Sequence, residues 1–174
     1  MNLEALKYPI GKFRIPSTIT EDHIAEAIKV LQLFPEQIKL LTYNLKDEVL
    51  DKPYREGGWT VRQLIHHISD SHHHSYNRFR WALTEDNPTI KAYNQDDFAK
   101  MKDYSSAPIA WSIAHMEAVH QKLVYILDSL SEDEWNRTFI HPETDAQMNL
   151  KELALMYSWH SMHHFAHLKN ALSS

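Results

Sequence analysis

Apolar positions along this chain recur at three- and four-residue spacing over long stretches, the period of amphipathic helices, with short breaks between them. The first stretch spans roughly 21–46. Ile24, Ala27, Ile28, Leu31, Ile38 and Leu41 share one face there, Thr20 can cap the start, and Pro35 is expected to kink or interrupt the helix. The second carries a clear start signal. Thr60 and Gln63 form a capping box, Trp59 and Leu64 occupy the hydrophobic-staple positions, and the helix is predicted from Val61 to about Leu83. Ser106 and Pro108 open a third helix running to about Leu130, and Asn149 with Glu152 starts a last one ending near Leu172. Ser131 and Glu134 cap a short turn, and His141-Pro142 marks a loop. Residues 1–19, with Pro9, Gly11 and Pro16, read as irregular. Four long helices with little strand signal predict an all-α four-helix bundle, one domain over residues 1–174. The polar segment 84–105, with a short helix expected near Asp96 to Met101, is long enough for a crossover, which would let the second and third helices run parallel.

Composition narrows the classes. The net charge is -5 with histidine neutral and no Lys/Arg cluster stands out, which argues against nucleic-acid binding. No apolar run approaches a membrane span, and the first residues lack the basic and apolar regions of a signal peptide. Cysteine is absent, which removes disulfides, thiolate ligands and a cysteine nucleophile. The expectation is a cytoplasmic protein acting on a small molecule. Histidine is the anomaly, with 13 copies.

The last helix contains "YSWHSMHHFAH", with His160, His163, His164 and His167. At 100° per residue, and with His160 at zero, His164 lies at roughly +40°, His167 at about -20° and His163 at about -60°. Leu153, Met156, Tyr157 and Ala171 share that face, so it points into the bundle. The opposite side carries Leu155, Met162 and Phe165, which makes a homodimer contact there an expectation. One inward histidine is usually a hydrogen-bonded core residue; four on one face are costly to bury, and a divalent cation resolves that cost. The i, i+4 spacing lets two rings converge on one ion, as either His160 with His164 or His163 with His167. A third ligand must come from elsewhere. The second helix offers "HHISDSHHHSY", where His72 lies near the centre of the apolar face and His67 on its shoulder; His66 and His73 point away. Periodicity leaves His72 and His67 both open, His72 being the more inward.

These segments together resemble the DinB/YfiT superfamily of small four-helix metal-dependent proteins. The pattern there is a Trp opening the second helix, a metal-binding His eight residues later, and an H-x-x-x-H pair on the last helix. Here those positions are Trp59, His67, His160 and His164. "YPIGKF", "PYREGGWTVRQ" and "HPET" resemble the YfiT branch, and the likeness runs over nearly the whole chain. The resemblance implies His67, His160 and His164 as metal ligands, a crossover between the second and third helices, a homodimer and metal-dependent hydrolysis. Many members carry Gln three residues after the second ligand of the pair. This chain has His167, either a fourth ligand or a partner of one. By the same resemblance, His66, His72, His73, His74 and His163 match no ligand and are expected to be core or surface residues.

Three imidazoles leave a coordination position open on one ion per subunit, with zinc or nickel expected. Water there is acidified toward neutrality, which is hydrolase chemistry; a thiol there is deprotonated, which is the chemistry of the bacillithiol-type S-transferases among the relatives. A non-enzymatic metal-binding dimer is a third reading. Asp70 and Glu152 are candidates to orient the imidazoles, Arg55 and Glu56 to line the mouth, and Arg78 to bind a substrate carboxylate or pair with an acid. No spacing names a catalytic base. A di-iron bundle would need two E-x-x-H motifs, and only Glu117-Ala118-Val119-His120 supplies one.

Overall fold

Side-chain caps set where the long helices begin. A computed structural model of the chain describes residues 3–173. After a short helix α1 (Leu3–Lys7), α2 spans Glu21–Leu41. Its capping box uses His23 at the third position, whose Nδ1 accepts the Thr20 N–H while Thr20 Oγ1 accepts the His23 N–H. The helix runs through Pro35 without stopping and ends at Leu41, earlier than the apolar spacing predicts. A single turn α3 (Asp47–Leu50) precedes α4 (Val61–Thr84), which carries the expected Thr60–Gln63 box. Two short helices, α5 (Gln95–Phe98) and α6 (Lys102–Ser106), lie in the crossover. Then come α7 (Ile109–Leu127), α8 (Glu132–Trp135) and α9 (Leu150–Leu172), the last two opened by the Ser131–Glu134 and Asn149–Glu152 boxes.

One feature departs from the predicted all-helical chain. β1 (Thr138–His141) and β2 (Ala146–Asn149) form a two-stranded antiparallel hairpin, with Thr138 opposite Asn149 and His141 opposite Ala146. Phe139 of β1 is fully buried in the core, which holds the ribbon on the bundle end. A strand of four residues has too few positions to display alternation, so the His141-Pro142 break was the visible signal.

Cross-helix bonds establish the helix directions. Arg62 donates to the Ala107 carbonyl, His66 pairs with Ser112, and His72 pairs with His120. Numbers rise together, so α4 and α7 run parallel, as the crossover allows. Between α4 and α9 they oppose: His72 meets His160 and Arg78 meets Tyr157. Helix α2 packs on α7 and α9. The crossover is tied along α4, where Gln63 donates to the Ala99 carbonyl and Tyr104 donates to Asp70. Apolar packing forms two clusters, one around Phe79, Leu123, Phe139 and Leu153, the other around Phe34, Leu64, Ile68 and Met116. Burying such a side chain contributes roughly 1.5–3 kcal/mol. Leu155 and Phe165 of α9 are half-buried against these clusters, so part of the face opposite the histidines is covered by the chain itself. Among the described residues no helix is long and apolar enough to cross a membrane.

Candidate metal centre

The antiparallel approach of α4 and α9 brings His67 level with His160 and His164. One ring nitrogen from each lies within 4.8 Å of the others. The ring centroids of His67 stand 5.5 Å from His160 and 5.0 Å from His164, and Trp59 packs on His67 at 4.8 Å. The three line a cleft of about 400 Å³ walled by Tyr54, Trp59 and Trp159. Arg55, expected at the mouth, lines this cleft; Glu56 does not.

The hydrogen bonds around this cluster determine where the ring protons sit. A neutral imidazole has one N–H donor and one acceptor nitrogen, and a carbonyl can only accept. The Leu31 carbonyl therefore takes the proton on His120 Nδ1, at 2.5 Å. His120 Nε2 is then an acceptor and takes the N–H of His72 Nδ1, at 2.9 Å. His72 Nε2 in turn accepts from His160 Nδ1, at 3.1 Å. His160 Nε2 is left with a lone pair. From the other side, His167 Nε2 donates to the Leu6 carbonyl at 3.0 Å, and its Nδ1 accepts from His164 Nδ1 at 3.3 Å. His164 Nε2 is likewise left with a lone pair. These two nitrogens face each other at 3.1 Å.

Two opposed lone pairs repel unless a positive charge lies between them. Burial works against a proton: it pushes His160 and His164 well below the ordinary imidazole value, and the neighbouring imidazoles add to the shift. His67 is lowered to about 4 by burial and by His163. Its Nδ1 is buried without a hydrogen-bond partner. Neutral imidazoles with lone pairs converging on one point suit a divalent ion, and two nitrogens on a tetrahedral zinc stand about 3.3 Å apart.

Pro35 explains the anchor of the longer chain of rings. A helical carbonyl normally bonds the N–H four residues on, and for Leu31 that residue is Pro35, which has none. The Leu31 carbonyl is free to accept from His120. Pro35 neither stops the helix nor acts only as a breaker; a proline inside an otherwise helical pattern, four residues after the core position Leu31, is the sequence signal of a freed carbonyl.

The other candidates fall into place separately. His72 is fully buried, deeper than His67, and its two nitrogens are taken by His120 and His160. His167 lies in a second possible group with His163 and His164. Within that group His164 Nδ1 already donates to His167 Nδ1. His163 stacks on Trp159 at 4.4 Å and its Nδ1 has no partner. His66, expected to point away, is buried and pairs with Ser112. His73 meets His115, and His74 stacks on Tyr93 at 4.2 Å. Asp70 and Glu152 do not orient the cluster. Asp70 accepts from Tyr104, and Glu152 closes the cap of α9. Glu117 lies near Lys39, so the E-x-x-H half-motif is split between surface and core.

A sequence profile of the DinB superfamily matches residues 32–168. A protein of Halalkalibacterium halodurans named "Putative metal-dependent hydrolase" is 42% identical over 166 residues, covering 95% of this chain and 96% of its own. A Bacillus pumilus protein of the same name is 40% identical over 166 residues, covering 95% of this chain and 94% of that protein's sequence. The solved structure of YfiT from Bacillus subtilis, described as "a probable metal-dependent hydrolase with an unusual four-helix bundle topology", superposes with a TM-score of 0.94 at 36% identity, covering 97% of each chain. The parallel α4–α7 pair and the long connection before α7 belong to that bundle topology, and this chain belongs to the DinB superfamily.

Proposed function

We propose that the protein is a metal-dependent hydrolase whose ion is held by His67, His160 and His164. The carrying observation is the pair of opposed Nε2 lone pairs on His160 and His164, with His67 on the third side. A divalent ion, when bound, acidifies water toward neutrality and polarises a carbonyl. The chain's own contribution is orientation and exclusion. His72 and His120 hold His160 in the Nδ1–H tautomer, and His167 holds His164 in the same one. These are the outer hydrogen bonds that keep ligand rings aimed and basic. Trp59, Trp159 and Tyr54 wall the cleft and limit the water that reaches it. The relatives' names support hydrolysis, and three protein ligands leave the open position that it needs.

Two measurements test this. Metal content should fall in each of His67→Ala, His160→Ala and His164→Ala; full occupancy in all three would refute the ligand set. Metal-loaded protein should hydrolyse members of a panel of esters and amides. Turnover only with a low-molecular-weight thiol and an electrophile would replace hydrolysis with S-transfer at the same ligands.

A further inference from the structure

A second cavity, about 690 Å³, adjoins the cleft and shares Gln95, Trp159 and His160 with it. Arg78 of α4 lines this cavity and is buried, with 6% of its surface exposed. Its Nη1 donates to the Tyr157 hydroxyl at 3.2 Å, its Nε is buried without a hydrogen-bond partner, and among the described residues no carboxylate lies within ion-pair distance of it. The other arginine of α4 with comparable burial, Arg62, shows the usual solution: it bonds Asp51 at 2.9 Å and Asp47 at 2.6 Å. Among the described residues Glu143 is the one carboxylate in the cavity lining; it is exposed and makes no ion pair with Arg78. A guanidinium is always charged, and a buried charge without a counter-ion is strongly disfavoured. Arg78 holds that position beside a cavity large enough for a small molecule and next to a ring of the metal centre.

We propose that Arg78 is the anchor for a carboxylate on the substrate, so that the reaction acts on small molecules that carry an acid group away from the reacting bond. The inference deepens the hydrolytic reading above and rests on it for the reacting end. One guanidinium, with neutral Tyr93 and Tyr157 hydroxyls beside it, matches a single negative charge better than a phosphate dianion. Nη2, the guanidinium nitrogen that neither bonds the protein nor is sealed from solvent, is the one a carboxylate in the cavity reaches, through a charge-assisted bond. Binding energy there, remote from the bond that reacts, would place the reacting carbonyl at the cleft.

The test uses metal-loaded protein labelled with ¹⁵N-arginine, the Arg78 Nε–H resonance being assigned by its loss in Arg78→Met. Phenylacetate should shift that resonance and phenylacetamide should not. In Arg78→Met the phenylacetate affinity should fall roughly ten-fold or more, as for loss of a charge-assisted bond, and Arg78→Lys should recover part of it. Equal response to acid and amide, an unresponsive Arg78 signal, or inorganic phosphate acting at lower concentration than phenylacetate would overturn the proposal. The wild-type resonance decides the matter even if Arg78→Met folds poorly. A responsive Arg78 in protein that hydrolyses no ester or amide sinks the hydrolase reading alone; hydrolysis with an unresponsive Arg78 sinks the carboxylate site alone.

Discussion

Acid should unfold the metal-free protein far above the pH at which carboxylates usually fail. His67 and His120 are held near about 4 against an ordinary 6.5, in each case mainly by burial. At pH above about 6.5 neither the folded nor the unfolded chain binds these protons, so the stability they contribute is complete. As pH falls below that, the unfolded chain takes up the protons and the folded chain does not, and stability declines until the folded value near 4 is reached. Lowering from 6.5 to about 4 corresponds to about 3 kcal/mol for each residue over that window. His72, His160 and His164 are lowered in the same direction by burial, and the roughly 6 kcal/mol from His67 and His120 alone already reaches the range of a whole folding free energy, about 5–15 kcal/mol. Urea denaturation followed by far-UV circular dichroism, in steps from about pH 7 to about pH 4.5, measures the loss. Replacing His120 by Gln removes one titrating ring that does not touch the proposed ligands. Near pH 5 that variant should lose about 0.9 of a proton of linkage, lowering the slope by about 1.2 kcal/mol per pH unit. A urea midpoint that does not move across the range, or an unchanged slope in His120→Gln, would refute the reasoning.

Further outcomes follow from the same contacts. His72→Phe keeps the three ligands but leaves His160 Nδ1 without its acceptor, so metal affinity should fall by about 10–100-fold at unchanged stoichiometry; competition against a chromophoric chelator measures it, and wild-type affinity would break the proposed role of the ring chain. Chelation at neutral pH should leave the helical circular dichroism in place, because caps and apolar clusters hold the bundle independently of the site; cooperative unfolding on chelation would instead assign the metal a structural role. Arg62→Ala removes a buried guanidinium from Asp47, Asp51 and the Ala107 carbonyl, and should destabilise by about 2 kcal/mol in the urea experiment.

Helix starts were legible because each is a local event. Thr60 with Gln63, and Asn149 with Glu152, write their hydrogen bonds within four residues. The parallel α4–α7 pair was accessible from the length of segment 84–105 alone. The inward face of α9 was also legible, since rotation about an axis is periodic. Depth along the axis is not. His67 and His72 are both buried, and only the antiparallel docking of α9 puts His67 beside His164 and His72 one layer further in. Angles leave both open, and the family resemblance names His67. Around the proposed ligands, His167 was named as a possible partner of one, whereas the groups that anchor the two ring chains are backbone carbonyls, Leu31 and Leu6, and a carbonyl leaves no letter in the sequence. Carboxylates were sought instead, and Asp70 and Glu152 turned out to be engaged elsewhere.

The proline in α2 sets stability against function. A proline within a helix costs about 3 kcal/mol relative to alanine, so Pro35 is the first residue a stabilisation campaign would replace. Its removal would restore an N–H aimed at the Leu31 carbonyl, and that donor would compete with His120 for the oxygen. The sturdier helix would loosen the protonation pattern of His120, then His72, then His160, three rings on three different helices. A screen for heat resistance would select the change, and a screen for bound metal would reject it.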